Sequence, residues 1–154
     1  MDVVLPEQFE FKSADGRCKL VYPPRRDPWV ETGNSATRKK YVWRGVRPDF
    51  PSDVVLSPEA GVAYFVGGFG DPGVDLGRVA VYDLKTGESR RTLALKDVVP
   101  DLETLSRQYS DMSNFEWISS LDLSPQGKDL VLGVCGKLKV RVHADSDAVD
   151  VLRK

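Results

Sequence analysis

The sequence predicts an all-β protein built of four-stranded antiparallel sheets, with one short helix inserted late in the chain. Three observations carry that prediction. Apolar and polar residues alternate with a period of two through much of the chain, the spacing of strands that bury one face. Three segments can be laid over one another: FEFKSADGRCKLVY (9–22), DVVLSPEAGVAYFVGG (53–68) and SLDLSPQGKDLVLGV (120–134). Their spacing is regular once one insertion is set aside: 44 residues separate Ser13 from Ser57, and 67 separate Ser57 from Ser124, an excess of 23.

Each segment reads as a strand, a turn opened by Ser, and an apolar-rich return strand. Pro58 and Pro125 preset φ for a turn position, and Gly16, Gly61 and Gly127 can take positive φ. Further strands follow. After the second segment, Val79 and Val81 alternate with Ala80 and Tyr82, DLKTGE turns, and SRRTLAL returns. After the third, Leu138, Val140 and Val142 point one way and Lys137, Lys139, Arg141 and His143 the other. ADSD then turns and AVDVL closes the unit. The second and third units therefore read as four strands each. The first is weaker: CKLVYPP leads into a Pro- and charge-rich loop (23–37), and RKKYVWRGV is a candidate third strand.

The 23 extra residues hold the helix. Leu102, Leu105, Tyr109 and Met112 are spaced 3, 4 and 3 apart, which sets them on one helical face. Pro100 suits a helix start, and Asp101 and Glu103 suit the positive end of the helix dipole. The stripe could dock on a partner or pack on the chain's own sheet. The expected division is one domain over 1–154, with a degenerate first unit at 7–45, a second at 53–95, the helix at 98–113 and a third unit at 117–152. Trp117, in NFEWIS, is expected in the core or at its rim.

These segments resemble the blades of β-propellers of the WD-repeat-like and YVTN-type families. In such blades LSPDG joins the first two strands, and V-x-V-Y-D-x-x-T-G-E forms the third strand and its turn. Here LSPEAG, LSPQGK and VAVYDLKTGE (79–88) match. The resemblance covers 53–95 and 117–152 well and 7–45 poorly. It implies propeller-like blades in an incomplete propeller, and it implies a fold, not an activity. Closed propellers have four to eight blades. Two good units and a weak one point to part of a longer propeller, a ring completed by another chain, or an open stack of small sheets.

Composition narrows the function. A net charge of −1 gives the whole chain no strong field toward nucleic acid or membrane. No apolar run approaches the 18 residues of a membrane span, and MDVVLPEQFEF lacks the apolar region of a secretory signal. Cys18 and Cys135 form no CxxC pair, which suits reduced thiols and a cytoplasmic location rather than a zinc or redox site. His143 is the only histidine, so histidine-cluster metal sites are excluded and any triad would have to use it. No catalytic residue, metal or cofactor is assigned.

Two features remain as candidate binding sites. GGFGDPGVDLG (67–77), with Asp71 and Asp75, could cage a cation or cradle an anion, but it has neither a calcium-loop nor a phosphate-loop spacing and also suits a plain turn between strands. Residues 17–47 carry nine basic residues against two acidic ones, Asp27 and Glu31, with Trp29, Tyr41 and Trp43 among them. The expected partner-binding residues are Arg25, Arg26, Trp29, Lys39, Lys40, Tyr41, Trp43 and Arg44. Basic residues interleaved with aromatics suit phosphates and bases, and Arg and Trp are also enriched at protein interfaces. The expectation is a non-enzymatic interaction or scaffold module with a protein partner or self-association. The alternatives are a lectin-like propeller assembled from several chains and a nucleic-acid contact through 17–47.

Overall fold

A computed structural model describes residues 9–33, 37–46, 53–67, 78–101, 104, 118–134 and 136–153. Three four-stranded antiparallel sheets fill this span. The first comprises β1 (Phe9–Lys12), β2 (Cys18–Tyr22), β3 (Trp29–Thr32) and β4 (Lys39–Val42). The second comprises β5 (Asp53–Ser57), β6 (Val62–Gly67), β7 (Arg78–Asp83) and β8 (Ser89–Ala94), and a single helical turn α1 (Leu95–Val98) ends it. The third comprises β9 (Ile118–Leu123), β10 (Leu130–Val134), β11 (Leu138–Val142) and β12 (Val149–Arg153). Each sheet is a meander in which strands pair in chain order. The first strands adjoin: β1 lies against β5, and β5 against β9. Sheets that fan from a shared row of first strands are propeller-like blades.

The repeated turns link one blade to the next. Gly16, Gly61 and Gly127 all take φ between 69° and 76°. The serines that open the turns are buried: Ser13 and Ser124 each accept a backbone N–H, from Cys18 and Asp129, across their own turn. Ser57 accepts the Ala60 N–H and donates 2.5 Å to the Gly127 carbonyl of the third sheet. Tyr64 likewise donates to the Lys128 carbonyl at 2.6 Å.

The core is two interleaved layers. Leu20, Val30 and Trp43 of the first blade meet Leu56, Phe65 and Leu84 of the second. Tyr64, Val79 and Val81 on the other face of the second meet Leu132, Val140 and Val142 of the third. The middle sheet therefore buries both faces, so Val62 to Val66 is a continuous apolar run instead of an alternating one. The outer sheets each show one polar face. On the first, register aligns Glu10, Val21, Trp29 and Val42 in one row and Lys12, Lys19, Glu31 and Lys40 in the next. On the third, the rows are Asp122–Val131–Arg141–Asp150 and Ser120–Gly133–Lys139–Leu152.

One expectation needs correction. The first unit has all four strands: β3 lies inside the segment read as a loop, and RKKYVWRGV supplies the fourth strand, not the third. Four residues between Pro28 and Gly33 leave too short an alternation to stand out. A helical turn at Leu95–Val98, not expected from the sequence, precedes Pro100, with Leu95 and Val99 both buried in the core at the end of β8. Thr104 is helical, but Leu102, Leu105, Tyr109 and Met112 lie outside the described residues, as do Trp117 and 68–77.

Candidate functional site: a basic and aromatic cleft

Arg25, Arg26, Asp27, Trp29, Lys40 and Val42 line an open cleft of about 460 Å³ on the outer face of the first sheet. The β2–β3 connection supplies the two arginines, β3 supplies Trp29 and β4 supplies Lys40. Strand alternation explains the grouping: Trp29 and Val42 are directly opposed, and Lys40 sits beside them in the neighbouring row. Lys40 Nζ stands 4.3 Å from the centroid of the Trp29 ring, and the Arg26 guanidinium 5.7 Å. Both distances are within cation–π range.

Glu31 organises this surface. Its carboxylate accepts the Trp29 indole N–H at 3.0 Å, which fixes the ring. It also pairs with Lys19 at 3.8 Å and Arg38 at 3.4 Å. The indole N–H first, and then the surrounding cations, hold its pKa below the ordinary carboxylate range. From sequence alone Glu31 only offset local charge. The signal that marks it is its position two residues after Trp29 on one strand, which puts both on one face.

The remaining expected residues separate. Lys39 and Tyr41 alternate with Lys40 and so sit on the opposite side of β4, where Lys85 of the second sheet lies 5.4 Å from the Tyr41 ring. Arg44 is exposed in the turn whose Gly45 N–H donates to Asp27 at 3.1 Å, beside the cleft. Trp43 corrects the expectation. It is fully buried, stacks 5.9 Å from Phe65 and donates its indole N–H to the Leu84 carbonyl at 3.0 Å. It is core, because β4 ends where the second blade packs over the ring.

The smaller basic stripe is largely matched. Arg141 pairs with Asp129 at 2.7 Å, and His143 lies 3.3 Å from Asp129 and 2.8 Å from Asp150. Burial alone would raise the Asp129 pKa, but the Ala144 N–H and Arg141 outweigh it and hold it low. Among the described residues there is no cluster of three or more His, Cys, Asp or Glu that could hold a metal, and no helix long and apolar enough to cross a membrane.

No protein-family model matches the chain, and no curated protein matches it in sequence. Solved structures do resemble it. The crystal structure of Kluyvelomyces marxianus Hsv2 is 12% identical, over 94% of this chain and 38% of that one, with a TM-score of 0.46. The Cps50 (Swd1) beta-propeller domain of Myceliophteria thermophila is 13% identical, over 88% of this chain and 40% of that one, with a TM-score of 0.42. The chain spans about two fifths of the length of each.

Proposed function

We propose that this chain is a non-enzymatic, cytoplasmic interaction module that presents the outer face of its first blade to an acidic protein partner. The observation that carries the reading is the cleft itself: Arg25, Arg26 and Lys40 gathered around a half-exposed Trp29. Among the described residues Arg25 forms no ion pair, and Lys40 faces Glu31 across the strands without closing a salt bridge to it. Arg and Trp in one cleft are the residue types that dominate binding energy at protein interfaces.

The charge pattern favours a protein over nucleic acid. A nucleic-acid backbone needs a continuous basic track. Here Glu10, Asp27 and Glu31 interrupt the cations, and Glu10 and Glu31 both hold Lys19. A localised acidic group suits such a surface better. The same face does not suit a further blade from another chain, since apposing one would bury the row Lys12–Lys19–Glu31–Lys40, and buried charges are costly unless each is paired.

Binding to an acidic peptide and to single-stranded DNA of equal charge, at low and physiological salt, tests this. The wild type should prefer the peptide, and Arg25→Glu with Arg26→Glu should abolish binding without lowering the melting temperature. Preference for the DNA, or unchanged binding by the double variant, would overturn the reading.

A further inference from the structure

We propose that the partner segment lies extended along β3 and places two carboxylates about four residues apart, one in each of two clefts. This rests on the reading above, and a second cleft deepens it. Lys12, Arg17, Lys19, Glu31, Gly33 and Arg38 are among the residues lining a pocket of about 210 Å³ on the same outer face. It sits at the turn end of the sheet, where β1 meets β2 and β3 meets β4, while the first cleft sits at the β2–β3 connection. Glu31 and Trp29 form the saddle between them. Lys12, like Arg25, forms no ion pair among the described residues.

The saddle dictates the pattern. Glu31 stands between the two cationic ends and repels a carboxylate placed directly above it. It also occupies Lys19 and Arg38, so Lys12 and Arg25, which form no ion pair among the described residues, lie at the two ends. β3 is four residues long, and at roughly 3.3 Å per residue the ends are ~13 Å apart. An extended chain spans that length in about four residues, and an even spacing keeps both side chains on one side. The central residues of the segment must be uncharged, because they cross Trp29 and Glu31.

The test uses fluorescence anisotropy with three labelled probes: a nine-residue peptide with two glutamates four residues apart, its isomer with the glutamates adjacent, and a single-stranded oligonucleotide. The wild type should bind the spaced peptide at least threefold more tightly than the isomer. Lys12→Glu should erase that difference, and so should the milder Lys12→Gln, while Arg25→Glu with Arg26→Glu should remove binding of both peptides. Equal affinity for the two peptides, with loss in the arginine variant, would overturn the two-cleft arrangement and leave the first cleft standing. Binding of neither peptide, or preference for the oligonucleotide, would overturn both.

Discussion

The indole N–H of Trp43 on the first blade donates to the Leu84 carbonyl on the second, at 3.0 Å. Leu84 opens the turn of DLKTGE, so one hydrogen bond spans 41 residues and pins the two blades together. Trp43→Phe keeps the ring packing and orphans that buried carbonyl, at a cost of about 1–3 kcal/mol. Trp43→Ala should cost about 3–5 kcal/mol. Urea denaturation of the two variants gives both numbers.

Gly87, in the same turn, explains itself through Trp43. Its φ is +74°, and a Cβ there would sit 2.5 Å from the Trp43 ring. Gly61 has a similar φ of +69° with open space around it. Gly61→Ala should therefore lose only the backbone cost of about 1–2 kcal/mol. Gly87→Ala adds a clash with a fixed ring and should lose clearly more. Equal losses in denaturation would refute the contact.

Cys18 is buried in the interface between the first two blades. Burial, aided by the charge of Asp15, pushes its thiol up to about 11. At pH 8 it should stay almost wholly protonated and resist alkylation in the native state, then react promptly in denaturant. Mass spectrometry of the Cys18 peptide after timed labelling checks this.

Asp15 accepts from the Ser13 hydroxyl at 2.6 Å and from the Arg17 N–H at 3.0 Å, and these bonds hold its pKa down to about 2. A carboxylate held low in the folded state stabilises it above the unfolded value, and the contribution is lost as pH falls through about 2. Stability should therefore decline between roughly pH 4 and pH 2, modestly because the group is exposed. Asp15→Asn should flatten that decline in a pH series of melts.

The blades were legible in the sequence where local chemistry fixes the chain. Ser and Gly specify the first turn of each unit, joined by Pro in the second and third, and VAVYDLKTGE encodes a strand and a turn whose Asp83 caps the Lys85 and Thr86 N–H groups. β3 was hidden because WVET is short and lies among prolines. The cleft was legible as a charge excess, and four of its eight expected residues, Arg25, Arg26, Trp29 and Lys40, do converge. Trp29 and Trp43 could not be told apart, because burial of Trp43 depends on Phe65, Tyr82 and Leu84 of another blade. The role of Glu31 was likewise invisible until strand register set it beside Lys19 and Lys40.

The central claim is that the two faces of the first blade divide the work, the outer one binding and the inner one holding the fold. Amide and indole NMR shifts during titration with an acidic peptide test it most directly. The account predicts movement at Arg25, Arg26, Glu31, Lys40 and the Trp29 indole N–H, with the Trp43 indole N–H still. Movement confined to the second and third blades, or a shift of Trp43 with Trp29 silent, would contradict it.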